Sequence, residues 1–165
     1  MINGKLSIDY VRQIVKSELD LDDDRINIYN QKWKIPPDDE LFVVLEYKST
    51  PKIISSRNYV DAIQVEHQDL NTQESIVVGM FSRNLSALQR KEEAVMGLFS
   101  VYSQQVQEIN SFHIARNVHI EDLSALEGSA QLNRIDISLI VFAWYGKTKT
   151  VDYYETFRTC VEVNN

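Results

Sequence analysis

The chain has 165 residues, 44% of them hydrophobic, which is enough for one respectable core and fits one domain better than two. Its 24 acidic and 17 basic residues give a formal charge of -7, which argues against non-specific duplex binding, because that needs clustered Lys and Arg. The longest apolar run, residues 137–145, is broken by Ser138 and falls far short of the roughly 18–20 residues that cross a bilayer. The start, MINGKLSIDYVRQ, lacks the apolar core of a signal peptide, so folding in a cytoplasm is expected; Cys160, the single cysteine, can form no intrachain disulfide.

Taken in chain order, Ser7 is a candidate N-cap with Asp9 in the first turn. Tyr10, Val11, Ile14 and Val15 recur at helical spacing, which predicts a first helix ending near Leu19. The acidic run Asp20, Asp22, Asp23, Asp24 leads to a short strand at Ile26 and Ile28, then to an irregular loop closed by Pro36 and Pro37. Residues 41–47 form a continuous apolar run, expected as a strand covered on both faces at the centre of a sheet. Pro51 is expected to close it, with residues 52–57 returning as a partner strand. The polar stretch 58–71 then reads as a long loop or an extended hairpin arm.

Residues 73–82 are the next predicted strand, and Asn84 or Ser86 can cap the helix that follows; Ser86 with Gln89 matches a capping box. Leu88, Val95, Phe99, Tyr102, Val106 and Ile109 keep helical spacing, predicting one long helix that lays a broad apolar face on a sheet. Phe112, Ile114, Val118 and Ile120 alternate as a strand, and 121–131 is a polar connection. From Leu132 onward Ile135, Ile137, Leu139, Val141, Ala143 and Tyr145 share one face of a strand. Asp136, Ser138, Ile140, Phe142 and Trp144 share the other, which turns from polar to aromatic halfway. Residues 151–163 predict a final strand or extended segment.

Little in this pattern points to chemistry. Asp20, Asp22 and Asp24 match the first ligand positions of an EF-hand loop, but Arg25 stands where Gly is needed and Gln31 where a bidentate Glu is needed, so a solvated turn is preferred. His67, His113 and His119 show no ligand spacing; His113 and His119 would lie roughly 20 Å apart on one extended strand. The pairs Glu92–Glu93 and Asp38–Asp39 diverge on a helix or turn and cannot face one reacting bond. Cys160 has no neighbouring His and reads as a packed thiol, and the five glycines form no phosphate-binding loop. No cofactor or metal is expected, and no enzyme. Trp33, Trp144, eight Tyr and six Phe exceed what one small core must bury, so Phe142 and Trp144 are either an interface or lie under a second helix.

The run VVGMFSRNLSALQRKEEAVMGLFSVYSQQVQEINSFHIARN, with LEGSAQLNRIDISLIVFAWY and DYYETF after it, resembles the tail terminator (neck) proteins of tailed bacteriophages. The resemblance is carried by the corner at Phe81, Ser82, Arg83 and Asn84, the helix segment Arg90, Lys91, Glu92 and Glu93, the pair Asn133 and Arg134, and Tyr153 with Tyr154. It also takes in the N-terminal helix and the Asp-rich turn leading to Tyr29, Asn30 and Gln31, whereas residues 51–71 match poorly. It implies one α+β domain over 1–165, a mostly antiparallel sheet flanked by an N-terminal and a long central helix; the residues themselves add a candidate arm at 51–71 and an extended segment at 151–165.

The implied role is structural. A ring, expected to be a hexamer, would cap the finished tail tube, stop its polymerisation and present a surface for head joining. Its partners would be its own copies, the tube protein, connector proteins of the neck and, in a contractile tail, the sheath protein; genomic DNA would pass through the lumen without specific binding. The place would be the virion neck, after assembly in the host cytoplasm. A ring uses two different patches per subunit. Candidates are Arg83, Arg90, Lys91 and Arg134, with Phe142, Trp144, Tyr153 and Tyr154; the open alternative is that Arg83 and Arg134 form intrachain pairs with Glu92 or Asp136. Asp20, Asp22, Asp23 and Asp24 are candidate lumen acids that would repel DNA phosphate. A head-completion or connector subunit is the nearest alternative, and a small ligand-binding domain or hydrolase the most distant.

Overall fold

The computed structural model describes residues 5–29, 32–60, 65–124 and 132–150. Helix α1 (Ser7–Glu18) buries Ile8, Val11, Ile14 and Val15 at helical spacing. The Leu6 N–H donates to the Asp9 carboxylate at 2.9 Å, so Asp9 closes the first turn. Ser7 does not cap it, because the Ser7 hydroxyl turns inward. The helix stops where Asp20 takes a left-handed φ of 47° and the Leu21 N–H reaches back to the Lys16 carbonyl at 3.0 Å. A single turn at Asp23–Arg25 then leads into β1 (Ile26–Ile28).

Three long strands follow: β2 (Phe42–Val60), β3 (Val65–Ser82) and β6 (Asn133–Thr150). Between β3 and β6 come α2 (Ser86–Leu98), α3 (Val101–Ile109), β4 (Phe112–Ile114) and β5 (His119–Asp122). The described chain is thus a mixed α+β structure with three helices and one six-stranded sheet, ordered β1-β2-β3-β6-β4, with β5 also beside β6. The pairing of β1 with β2 is parallel, and every other pairing is antiparallel.

Strand parity explains the core. Val43, Leu45, Ile76, Val78, Met80, Ile135, Ile137, Leu139, Val141 and Ala143 point to one face and join Ile14, Ala87, Ala94, Leu98 and Val106 of the helices in one buried cluster. Burying side chains of this size contributes about 1.5–3 kcal/mol each, which is why the helices settle on that face. Gly97 lets α2 meet α1 closely, since a Cβ there would stand 2.6 Å from Glu18 Cβ. On the opposite face Trp33, Phe42 and Phe81 pack in a row, ring centroids 5.6 and 5.2 Å apart, and the Arg134 guanidinium sits 5.3 Å from the Phe81 centroid.

Several expectations are corrected. The long central helix is two helices, because Ser100 caps a new one: its Oγ accepts the Ser103 N–H at 3.0 Å. The Ser86–Gln89 box gives way to Asn84 Oδ1 and Ser82 Oγ, which accept the Ser86 and Ala87 N–H groups. Pro51 does not close a strand. It lies within β2 where the register shifts between Tyr47 and Lys52 and has no partner residue on β3, an irregularity at which a strand tolerates proline. Residues 52–57 therefore continue β2, and of the two readings of 58–71 the hairpin is the one seen, with 65–71 belonging to β3. The centre of the sheet is β3, with β2 beside it. Residues 112–122 hold two short strands with a break at 115–118, and Glu121 and Asp122 belong to the second. The segment 151–165, with Cys160, Tyr153 and Tyr154, lies outside the described residues.

Candidate interface

The three long strands run on past the core as an arm. No residue of β2 after Leu45, of β3 before Thr72 or of β6 after Ala143 is buried. β1 pairs with β2 only as far as Leu45, and β4 with β6 only as far as Ala143, so both outer edges of the arm lack a strand partner among the described residues. Register assigns its faces. Arg57, Gln68 and Lys147 form one rung, and Tyr59, Glu66 and Lys149 the next on the same side. Ile54, Asn71 and Trp144 form a rung of the other side, in line with Phe142, which stands beside His113 and Gln73. Trp144 is 45% exposed and Ile54 69%, while Phe142 is half-buried. Phe142 and Trp144 thus share an aromatic stripe on the face away from the helix-packed core, where Phe142 is partly covered by its own sheet neighbours.

At the root of the arm sits a polar group that sequence reading missed. Glu74 is 4% exposed and faces the core side; its carboxyl accepts from Thr72 Oγ1 at 2.8 Å, from the Tyr145 hydroxyl at 2.9 Å and from Ser7 Oγ. Burial, then the Glu74 carboxyl, pushes the Tyr145 hydroxyl well above its ordinary pKa. The network ties α1 to β3 and β6 where the apolar core ends. Parity held the signal, since Glu74 shares a face with Ile76, Val78 and Met80.

The other end of the sheet is a charged corner. The Arg83 guanidinium donates to the carbonyls of Pro37 at 2.8 Å and Asp38 at 3.0 Å, which ties the end of β3 to the loop before β2. Arg25 donates to both Asp38 oxygens, one of them at 3.1 Å, and holds that carboxyl below the ordinary range. Lys16 and Arg12 both meet Asp23 Oδ1, at 2.7 and 3.1 Å, and hold that carboxyl below the ordinary range as well. Asp20, Asp22 and Asp24 are exposed. Of the other singled-out cations, Arg90 grips Glu93 at 2.7 Å and the Leu19 carbonyl at 2.7 Å, joining α2 to the end of α1. Arg134 forms a fork with Asp136, both bonds at 2.9 Å, and Lys91 lies 3.7 Å from Glu92. Arg134 therefore pairs inside the chain with Asp136, and Arg83 also finds its partners inside the chain, the loop carbonyls and Asp39 at 3.8 Å, which the expectation did not name.

The histidines stay apart. His67 shares a hydrogen bond with Thr148 Oγ1 at 3.2 Å, and His113 and His119 are exposed on separate strands. Among the described residues no three His, Cys, Asp or Glu side chains stand together as metal ligands, and no helix is long and apolar enough to cross a membrane. No protein-family model matches the chain, and no curated protein matches it either.

Proposed function

We propose that this chain is an assembly subunit of a phage virion, a ring-forming tail terminator that caps the tail tube in the neck and offers the surface for head joining. One observation carries the reading: three strands continue beyond the core as an arm open on both faces and both edges. A ribbon without a buried apolar face is marginal by itself, so it suits a chain whose arm is completed by another molecule. The motif resemblance at Phe81–Asn84 and Arg90–Glu93 supports the same class, and the corner and helix segment it names serve here to hold β3, α1 and α2 together. In this reading the partners are further copies, with a hexamer expected, the tube protein, the connector and, in a contractile tail, the sheath; the ring assembles in the host cytoplasm and DNA passes through it.

Purified protein mixed with isolated tail tubes and viewed by negative-stain electron microscopy tests the proposal. A ring on one tube end is expected. A stable monomer that never joins a tube end would defeat it.

A further inference from the structure

We infer that the cationic face of the arm docks on the acidic turn of a second copy of this chain. The inference rests on the assembly reading above and names a contact which that reading leaves open. Charge is distributed unevenly along the molecule: residues 46–71 and 144–150, which span the arm, hold five basic and four acidic residues, and the rest of the chain holds twelve and twenty. On one face of the arm Arg57, Lys147 and Lys149 occupy adjacent rungs with Glu66 between them. Glu66 lies 3.5 Å from Arg57 and answers one positive charge of the three, so among the described residues the face stays cationic.

The opposite end of the same strands presents a turn of exposed acids. Asp20, Asp22, Asp24, Asp39 and Glu40 are exposed there, while Asp23 and Asp38 are neutralised by Arg12, Lys16 and Arg25; Arg83 lies 3.8 Å from Asp39, Arg90 stands near Asp20, and Lys32 and Lys34 belong to the adjoining loop. The two ends lie at opposite ends of β2, whose nineteen residues span roughly 60 Å at about 3.3 Å per residue. An arm therefore cannot reach its own acidic turn, but it can reach a neighbour's. Such a contact joins unlike patches and leaves each copy with one of each still free, which propagates to a closed ring or an open filament. Nucleic acid is the weaker occupant, because a chain of charge -7 brings a repelling body wherever its arm meets phosphate. A docked arm also neutralises Asp20, Asp22 and Asp24, which takes them away from a DNA-lined channel.

The test is sedimentation velocity of the full chain. Association is expected to weaken as salt rises from about 50 to 500 mM, which shortens the screening length severalfold. The reversal R57E/K147E/K149E should weaken it about tenfold or more, as should D20K/D22K/D24K, and an equimolar mixture of the two should restore it. All six side chains are at the surface, so an unchanged circular dichroism spectrum verifies the fold, and the milder R57Q/K147Q/K149Q should fall between. Association that ignores both reversals overturns the docking, and rings still seen on tube ends would leave the terminator reading standing. A chain that stays monomeric overturns the docking, and takes the terminator reading with it only if tubes also remain uncapped. Loss of binding to a labelled DNA duplex in the arm variant, with association intact, overturns it in favour of phosphate contact.

Discussion

Replacing Glu74 by Ala removes the acceptor for three hydroxyls, two of them on the buried side chains of Ser7 and Thr72, and leaves those donors without it. Loss of such bonds costs about 2–3 kcal/mol in total, and Glu74→Gln, which keeps one carbonyl acceptor, should cost about half as much by urea denaturation. The surface carboxyls behave differently. Asp38 is held below its ordinary pKa chiefly by the Arg25 hydrogen bond, and Asp23 by Lys16 and then Arg12. A carboxyl with a lowered folded-state pKa lends stability above its unfolded value of about 4 and loses it as the pH falls through the folded value. Acid titration of Asp38→Asn should therefore show a shallower fall in melting temperature below about pH 4 than the parent chain, and little difference at pH 7 in high salt. These residues also mark what was legible. A glutamate in core parity is visible in the sequence; that Arg25 reaches Asp38 across thirteen residues is not, because both lie in loops without periodicity.

The break between α2 and α3 shows how an element departs from its pattern. Apolar spacing runs unbroken from Leu88 to Ile109, so periodicity alone predicts one helix. Ser100 decides otherwise, because its hydroxyl accepts the Ser103 N–H and donates to Glu18 Oε1 at 2.5 Å, which lets the chain turn while Ala94 and Leu98 of one half and Val106 of the other stay in the core; Leu88 and Ile109, expected on the same face, are exposed. Ser100→Ala is expected to cost about 1–2 kcal/mol, whereas Ser100→Asp should keep the cap yet set a second carboxyl against Glu18; thermal melts of the two variants separate the two contributions. Strand β2 is the converse case. Pro51 signals an end, but it falls in a register shift where it has no partner residue on β3, so pairing resumes at Lys52 and carries the strand onward to Val60.

At the scale of the molecule the three long strands belong to two environments. Residues 76–80 sit in the centre of the sheet, almost wholly buried, while 51–58 lie along an exposed outer edge. Opening of the first should require global unfolding and opening of the second only local fraying, so hydrogen exchange followed by mass spectrometry should find arm amides exchanging about a thousandfold faster or more. Exchange in the arm that slows on self-association, with the core unchanged, would place the contact there; uniform slowing would place it elsewhere. The aromatic stripe at Phe142 and Trp144 belongs to the same scale, since its exposure follows from all three helices joining the core on the other face.

By itself the sequence determined which faces would be apolar, since the alternation in residues 133–145 and the helical spacing in α1 depend only on backbone periods of two and 3.6 residues. It also marked 58–71 as a polar stretch, a long loop or an extended hairpin arm. Only the tertiary structure decided that 52–60 continue β2 onto β3, and that β3 takes β6 as its other partner, some eighty residues farther along the chain. Strand pairing is set by backbone groups common to every residue, and side-chain patterns do not encode it where both faces are polar.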